Sequence, residues 1–163
     1  AIADFDHAIA QRAQSHPDFP LFAALPGAGA VFAPRLLVAF GEQRERYTSA
    51  DELQKYAGIA PVTERSGNKP WVHWRWQCPT FLRQTFVEWA AESIRHSFWA
   101  RTYYQQQRDK GTSHQAAVRA LAFKWSRILF RCWQDRTPYE ESVYLNALKH
   151  RGSPLLHNLV HPS

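Results

Sequence analysis

Ser66 is a candidate nucleophile among basic neighbours, in a setting that also suits an ordinary turn. It sits in Thr63-Glu64-Arg65-Ser66-Gly67-Asn68-Lys69, with Arg65 and Lys69 beside it and Arg75 a little further on. A serine hydroxyl is a weak nucleophile until a base takes its proton or fixed cations meet the charge of its transition state. Cations of this kind are suited to holding a scissile phosphate. His73 is the nearby imidazole, as base or as hydrogen-bond partner. A serine before glycine is also a common turn residue, and the residues alone leave both roles open.

Three further groups are candidates for nucleic-acid contact. In Pro26-Gly27-Ala28-Gly29 the glycines Gly27 and Gly29 let bare backbone approach a neighbour, and the next helix would point its first amides outward at a phosphate. That is the logic of a helix-hairpin-helix; the alternative is a tight turn packed internally. Lys124, Arg127 and Arg131 fall in a narrow arc of one helix, with Arg119 at its edge, as a phosphate-tracking stripe or an ordinary solvated face. Trp71, Trp74 and Trp76 interleave with His73 and Arg75. They suit stacking on unpaired bases or burial, with at least one expected in the core.

Composition narrows the classes. Lys and Arg number 20 against 14 acidic residues, a formal charge of +6, and 15 of the 20 are Arg. Arginine grips phosphate in pairs and stacks on bases, but an Arg-rich balance also follows from a GC-rich genome. Cys78 and Cys132 lack CxxC spacing and read as buried free thiols of a reducing cytosol. The eight His residues lack the spacing of a zinc site, so no metal is expected in this stretch. No apolar run approaches the roughly 18 residues of a membrane span, and the N-terminus lacks the order of a signal peptide. A cytoplasmic protein with no membrane partner is expected. With no Met, the chain reads as part of a longer protein that continues upstream.

Helices must position these groups. Ile2, Phe5 and Ile9 mark an amphipathic helix over 1–14, ended by the prolines of 15–20. Two short apolar helices over 21–41 flank the Gly-rich turn. Ser49 caps a helix reaching Gly58, and 60–72 is polar and turn-rich. Helices follow over 79–96, with Leu82, Phe86, Trp89 or Ala90, and Ile94 inward, and over 99–108. Thr112-Ser113 caps the longest, 114–134, with a core stripe of Ala117, Leu121, Trp125, Ile128 and Cys132. A last helix covers 139–149. The expected fold is all-α: a compact multi-helix domain with a helix-hairpin-helix-like segment and room for one β-hairpin at 62–76. Residues 1–15 would end a connecting helix, 16–150 form the domain, and 151–163 a tail.

The succession LPGAGAVFAPRLL, YTSADELQKYAGIAPVTERSG, FLRQTFVEWA, WARTYYQQQRDKG and WQDRTPY resembles the C-terminal domain of the IS-one-ten family of transposases, over about residues 16–140. The resemblance implies a DNA recombinase that works with a guide RNA as a homo-oligomer. It also implies a RuvC-like N-terminal domain holding Mg2+ on an acidic site, joined by a coiled coil of which 1–14 would be the end. The family's catalytic serine follows a Gly-Leu/Ile-x-Pro segment, here Gly58-Ile59-Ala60-Pro61, which maps it onto Ser66. Ser66 would then act by transesterification through a phosphoserine, with Arg65, Lys69 and Arg75 neutralising the phosphate. Residues 74–80 depart from the family, with aromatics where it has a Gly-containing polar turn; Leu82 and Arg83 are in place, and Arg83 joins the nucleic-acid-binding set. This stretch alone is expected to be inactive. The rivals are a non-enzymatic helix-hairpin-helix DNA-binding module of a repair or recombination protein, and a dimerisation domain with an incidental basic face.

Overall fold

The computed structural model describes residues 2–59, 63–66, 69–72, 80–153 and 155, the two short strands by their backbone. Its helices are α1 (Ile2–Ala13), α2 (Phe19–Ala23), α3 (Gly29–Phe40), α4 (Ala50–Ala57), α5 (Thr80–Ser93), α6 (Phe98–Asp109), α7 (His114–Asp135) and α8 (Glu141–His150). A 3₁₀ turn, Arg44–Arg46, lies between α3 and α4. Strands β1 (Thr63–Ser66) and β2 (Lys69–Val72) pair antiparallel between α4 and α5. The domain is therefore all-α with one hairpin. The Ile2, Phe5 and Ile9 side chains lie outside the described residues.

Local signals set the helix ends. Ser49 Oγ accepts the Glu52 amide at 3.2 Å, and the Glu52 carboxylate reaches back to the Thr48 amide at 3.3 Å. This reciprocal cap starts α4, and Gly58, at φ 73°, stops it in the left-handed conformation that glycine adopts without a Cβ clash. Ser97 and Ser113 cap α6 and α7 in the same way, accepting the amides of Ala100 and Ala116 at 3.1 and 3.2 Å. The Glu141 carboxylate accepts from Ser97 Oγ at 2.8 Å, which ties the start of α8 to the start of α6.

Helix α7 is the axis of the fold, with α4, α5 and α6 packed around it; α3 in turn joins α1 and α2 to α5. Trp125, fully buried at the middle of α7, has the rings of Trp89 and Trp99 at 4.7 and 4.6 Å. Rings this large and this close dominate core energetics, and truncating one to alanine typically costs about 3–5 kcal/mol. The inward stripe of α7 corrects the expectation. Leu129 and Trp133 take the deep positions, while Ile128 and Cys132 are only half-buried. The indole of Trp133 decides this: it packs on Phe40 and Tyr47 and donates to Gly41 O at 3.0 Å. The half-buried Cys132 thiol is pushed up to about 11, mainly by desolvation, so it stays protonated near neutral pH.

An ion pair between buried Asp18 and half-buried Arg44 holds the α1–α2 turn to the segment after α3. Arg44 donates two bonds to the Asp18 carboxylate, at 2.6 and 2.9 Å, and a third from Nε to Trp133 O at 2.9 Å. The hydrogen bond and charge of Arg44 hold the Asp18 carboxyl below its ordinary value, against the opposing effect of burial. A depressed folded-state pKa contributes stability that is present above the unfolded value and lost as pH falls through the folded one. Asp18→Asn should therefore lower unfolding free energy at pH 7 by about 1–3 kcal/mol, because half-buried Arg44 loses its counter-charge. In urea titrations the gap from the parent should begin to narrow below about pH 4, where the unfolded chain takes up the proton, and close only as pH falls through the depressed folded value.

Candidate functional site

The hairpin brings two of the candidate residues together. Ser66 ends β1 and Lys69 begins β2, and the two form the last cross-strand pair before the connection of Gly67 and Asn68. Residues opposed in this way have Cα atoms about 4.5–5.5 Å apart. Arg65 stands next in register, opposite Pro70. Trp71 pairs with Glu64 in the backbone ladder. His73, Trp74, Arg75, Trp76 and Cys78 lie outside the described residues.

The chain leaves the helical body for this hairpin at Ile59 and returns at Thr80, and both of those residues line one cleft of about 660 Å³. Its walls come from α5 and α7. Arg83 on α5 and His114 and Arg119 on α7 line it, with Val87 and Val118 between them. Arg83 is half-buried and has no hydrogen bond or ion pair among the described residues. Glu88, also on the lining, is engaged by Arg35 at 3.5 Å and by Gln84 at 2.9 Å. The His114 ring shares a 2.7 Å hydrogen bond through Nδ1 with the Tyr104 hydroxyl, which leaves Nε2 as its other polar atom. Arg83 stands in the expected set through the resemblance, whereas nothing in the sequence marks His114. A histidine directly after a capping serine carries no periodic signal, and its neighbour Tyr104 lies on another helix.

The two glycines of the α2–α3 turn have different surroundings. At Gly27, φ 75°, an added Cβ would stand 2.8 Å from the His96 ring and 3.2 Å from Glu92 Cγ. The preceding carbonyl, Pro26 O, accepts the Trp89 indole N–H at 2.9 Å. The close approach that Gly27 permits is thus to the end of α5. Gly29, φ 56°, opens α3 with nothing within 4 Å of where a Cβ would be.

Lys124, Arg127 and Arg131 are all exposed on α7. Lys124 lies 5.9 Å from the Tyr103 ring, and Arg127 is paired with Asp51 of α4 at 3.2 Å. Both partners of that pair are largely exposed, so it is worth about 0–1 kcal/mol and yields readily to a phosphate. Among the described residues, no three His, Cys, Asp or Glu side chains gather as metal ligands. No described helix is long and apolar enough to cross a membrane.

These features sit in a chain whose residues 20–105 match the IS116/IS110/IS902 transposase family. The chain belongs to that family of transposases. It is 32% identical over 141 residues to a Streptomyces coelicolor mini-circle protein named as a transposase for IS117, covering 86% of this chain and 34% of that one. It is also 32% identical over 148 residues to the 42 kDa protein of insertion element IS900 of Mycobacterium paratuberculosis, covering 87% and 36%. A 43.6 kDa protein of insertion element IS110 from Streptomyces coelicolor is 33% identical over 134 residues, covering 80% and 32%. The chain thus spans about a third of the length of the curated relatives it matches.

If the α7 stripe grips a phosphate backbone, each contact releases condensed counterions. Replacing Lys124, Arg127 and Arg131 together by Gln should flatten the plot of log affinity for duplex DNA against log salt by about 0.9 per lost contact. Anisotropy titrations across a salt series would read this. An unchanged slope would make the stripe a solvated face.

Proposed function

We propose that this chain is the DNA-binding and serine-bearing domain of a transposase that moves an insertion sequence by strand cleavage and rejoining. The observation that carries the reading is the place of Ser66. It stands opposite Lys69 in the closing pair of a hairpin whose feet flank a cleft lined by Arg83 and Arg119. Within a transposase family, a serine paired with a lysine at the end of a hairpin supports a reading in which it meets a phosphodiester.

In this mechanism Ser66 Oγ attacks phosphorus as its proton passes to a base. The bond from phosphorus to the leaving sugar oxygen breaks, and that oxygen takes up a proton. A sugar hydroxyl of the new partner strand later attacks the phosphoserine, forms the new phosphodiester and returns the serine. One phosphoester bond is exchanged for another at each step, so no nucleotide triphosphate is consumed. Lys69, Arg65 and Arg75 offset charge on the phosphate, and Arg83 with the α7 stripe holds flanking strand. The open N-terminus of α3 at Gly29 offers amides to a further phosphate, whereas Gly27 serves by holding the turn in place.

The same reading assigns Mg2+ to an acidic N-terminal domain beyond this stretch, a guide RNA and further copies of the protein to the active complex, and the cytoplasm as its compartment.

The test uses the complete protein with divalent metal, guide RNA and labelled target DNA, denatured during strand exchange. A DNA–protein adduct at Ser66, found by gel and mass spectrometry and absent in Ser66→Ala, is the expected result. Ser66→Ala should abolish exchange while changing DNA affinity less than twofold. Exchange that survives the substitution would remove the phosphoserine step.

A further inference from the structure

The cleft at the foot of the hairpin has features that a grip on duplex backbone does not require. Backbone gripping needs cations on an open surface and no concavity. This cleft, at about 660 Å³, lies in the range of pockets that enclose a small organic group, about 300–1,000 Å³. Its lining is mixed. Val87 of α5 and Val118 of α7 supply apolar wall on both sides, suited to the face of a planar ring. Gln115, exposed at the start of α7, carries an amide that donates and accepts, as a base edge requires. Arg83 lacks any polar partner among the described residues and is placed to meet one phosphate. The lining carboxylate, Glu88, is engaged by Arg35.

We propose that this cleft receives a single unpaired nucleotide of the bound strand, with the base between Val87 and Val118, its edge at Gln115 and its phosphate at Arg83. The inference rests on the reading of the chain as a nucleic-acid-binding domain. It adds that the serine hairpin works beside a strand with one base out of its stack. Extruding a base costs a few kcal/mol in a duplex and far less in a single strand. The site should therefore select for single-stranded or mispaired substrate.

The experiment uses the purified chain and DNA oligonucleotides carrying one 2-aminopurine, whose fluorescence rises when it is unstacked. The single strand should bind about tenfold more tightly than the paired duplex of the same length, with a severalfold rise in fluorescence. Val87→Phe, which fills the cleft, should remove the rise and the preference while leaving duplex affinity within about twofold. If circular dichroism shows that Val87→Phe has not folded, Gln115→Ala, an exposed position of the lining, takes its place. An RNA oligonucleotide of the same sequence distinguishes the source of the nucleotide: a rise with RNA alone assigns the cleft to a guide, and a rise with DNA assigns it to substrate. Salt-sensitive duplex binding with no preference for single strand, or a fluorescence rise that survives in folded variants, would overturn the cleft assignment and leave the DNA-binding reading intact. No binding to any oligonucleotide would overturn both.

Discussion

Buried indoles govern this fold through their N–H groups. A tryptophan brought into the core contributes more apolar surface than any other residue, but its N–H must find an acceptor or forfeit much of the gain. Trp89 finds Pro26 O, Trp133 finds Gly41 O, and Trp125 finds Ser93 Oγ. The two carbonyl acceptors, Pro26 O and Gly41 O, lie outside the helices, where carbonyls are not already bonded, and Trp125 uses instead the hydroxyl of the last residue of α5. The tryptophans therefore bury area and also fix where the chain turns. The α2–α3 turn is locked to α5, the segment after α3 to α7, and the end of α5 to the middle of α7.

A rigid helical frame with an appended hairpin follows from this division. The helices α4 and α5 that flank the hairpin both pack on α7, so the hairpin's feet are held by the best-packed part of the molecule. The charges divide similarly. Asp18 is buried against a half-buried Arg44 and the pair is structural, whereas Lys124, Arg127 and Arg131 are exposed. A phosphate can compete for the second group without disturbing the first.

The helices were legible because their signals are local. Serine caps at Ser49 and Ser113, glycine stops and apolar spacing place α4, α5 and α7 within a few residues, and the hairpin falls inside the 62–76 window. The inward face of α7 was only half legible. A stripe through Ile128 and Cys132 is as regular as one through Leu129 and Trp133, and only the indole's need for Gly41 O separates them. The role of Gly27 was likewise hidden, since a glycine that admits a phosphate and one that admits His96 look the same in a sequence. The cleft could not be read at all. Its walls are brought together from α5 and α7 by tertiary packing, and no linear pattern joins Arg83 to His114. Ser66 itself stood out mainly by resemblance, since its neighbours suit an ordinary turn equally well.

The feet of the hairpin, Ile59 and Thr80, border the same cleft. A segment whose two anchors border one cleft can change length at modest cost to the frame. Closing a flexible loop of twice the length costs only about 0.6 kcal/mol more. The frame built by the tryptophans can thus stay fixed while the segment between these anchors diverges. That separation lets the stretch between the anchors take on new residues without the helices having to find a new way to fold.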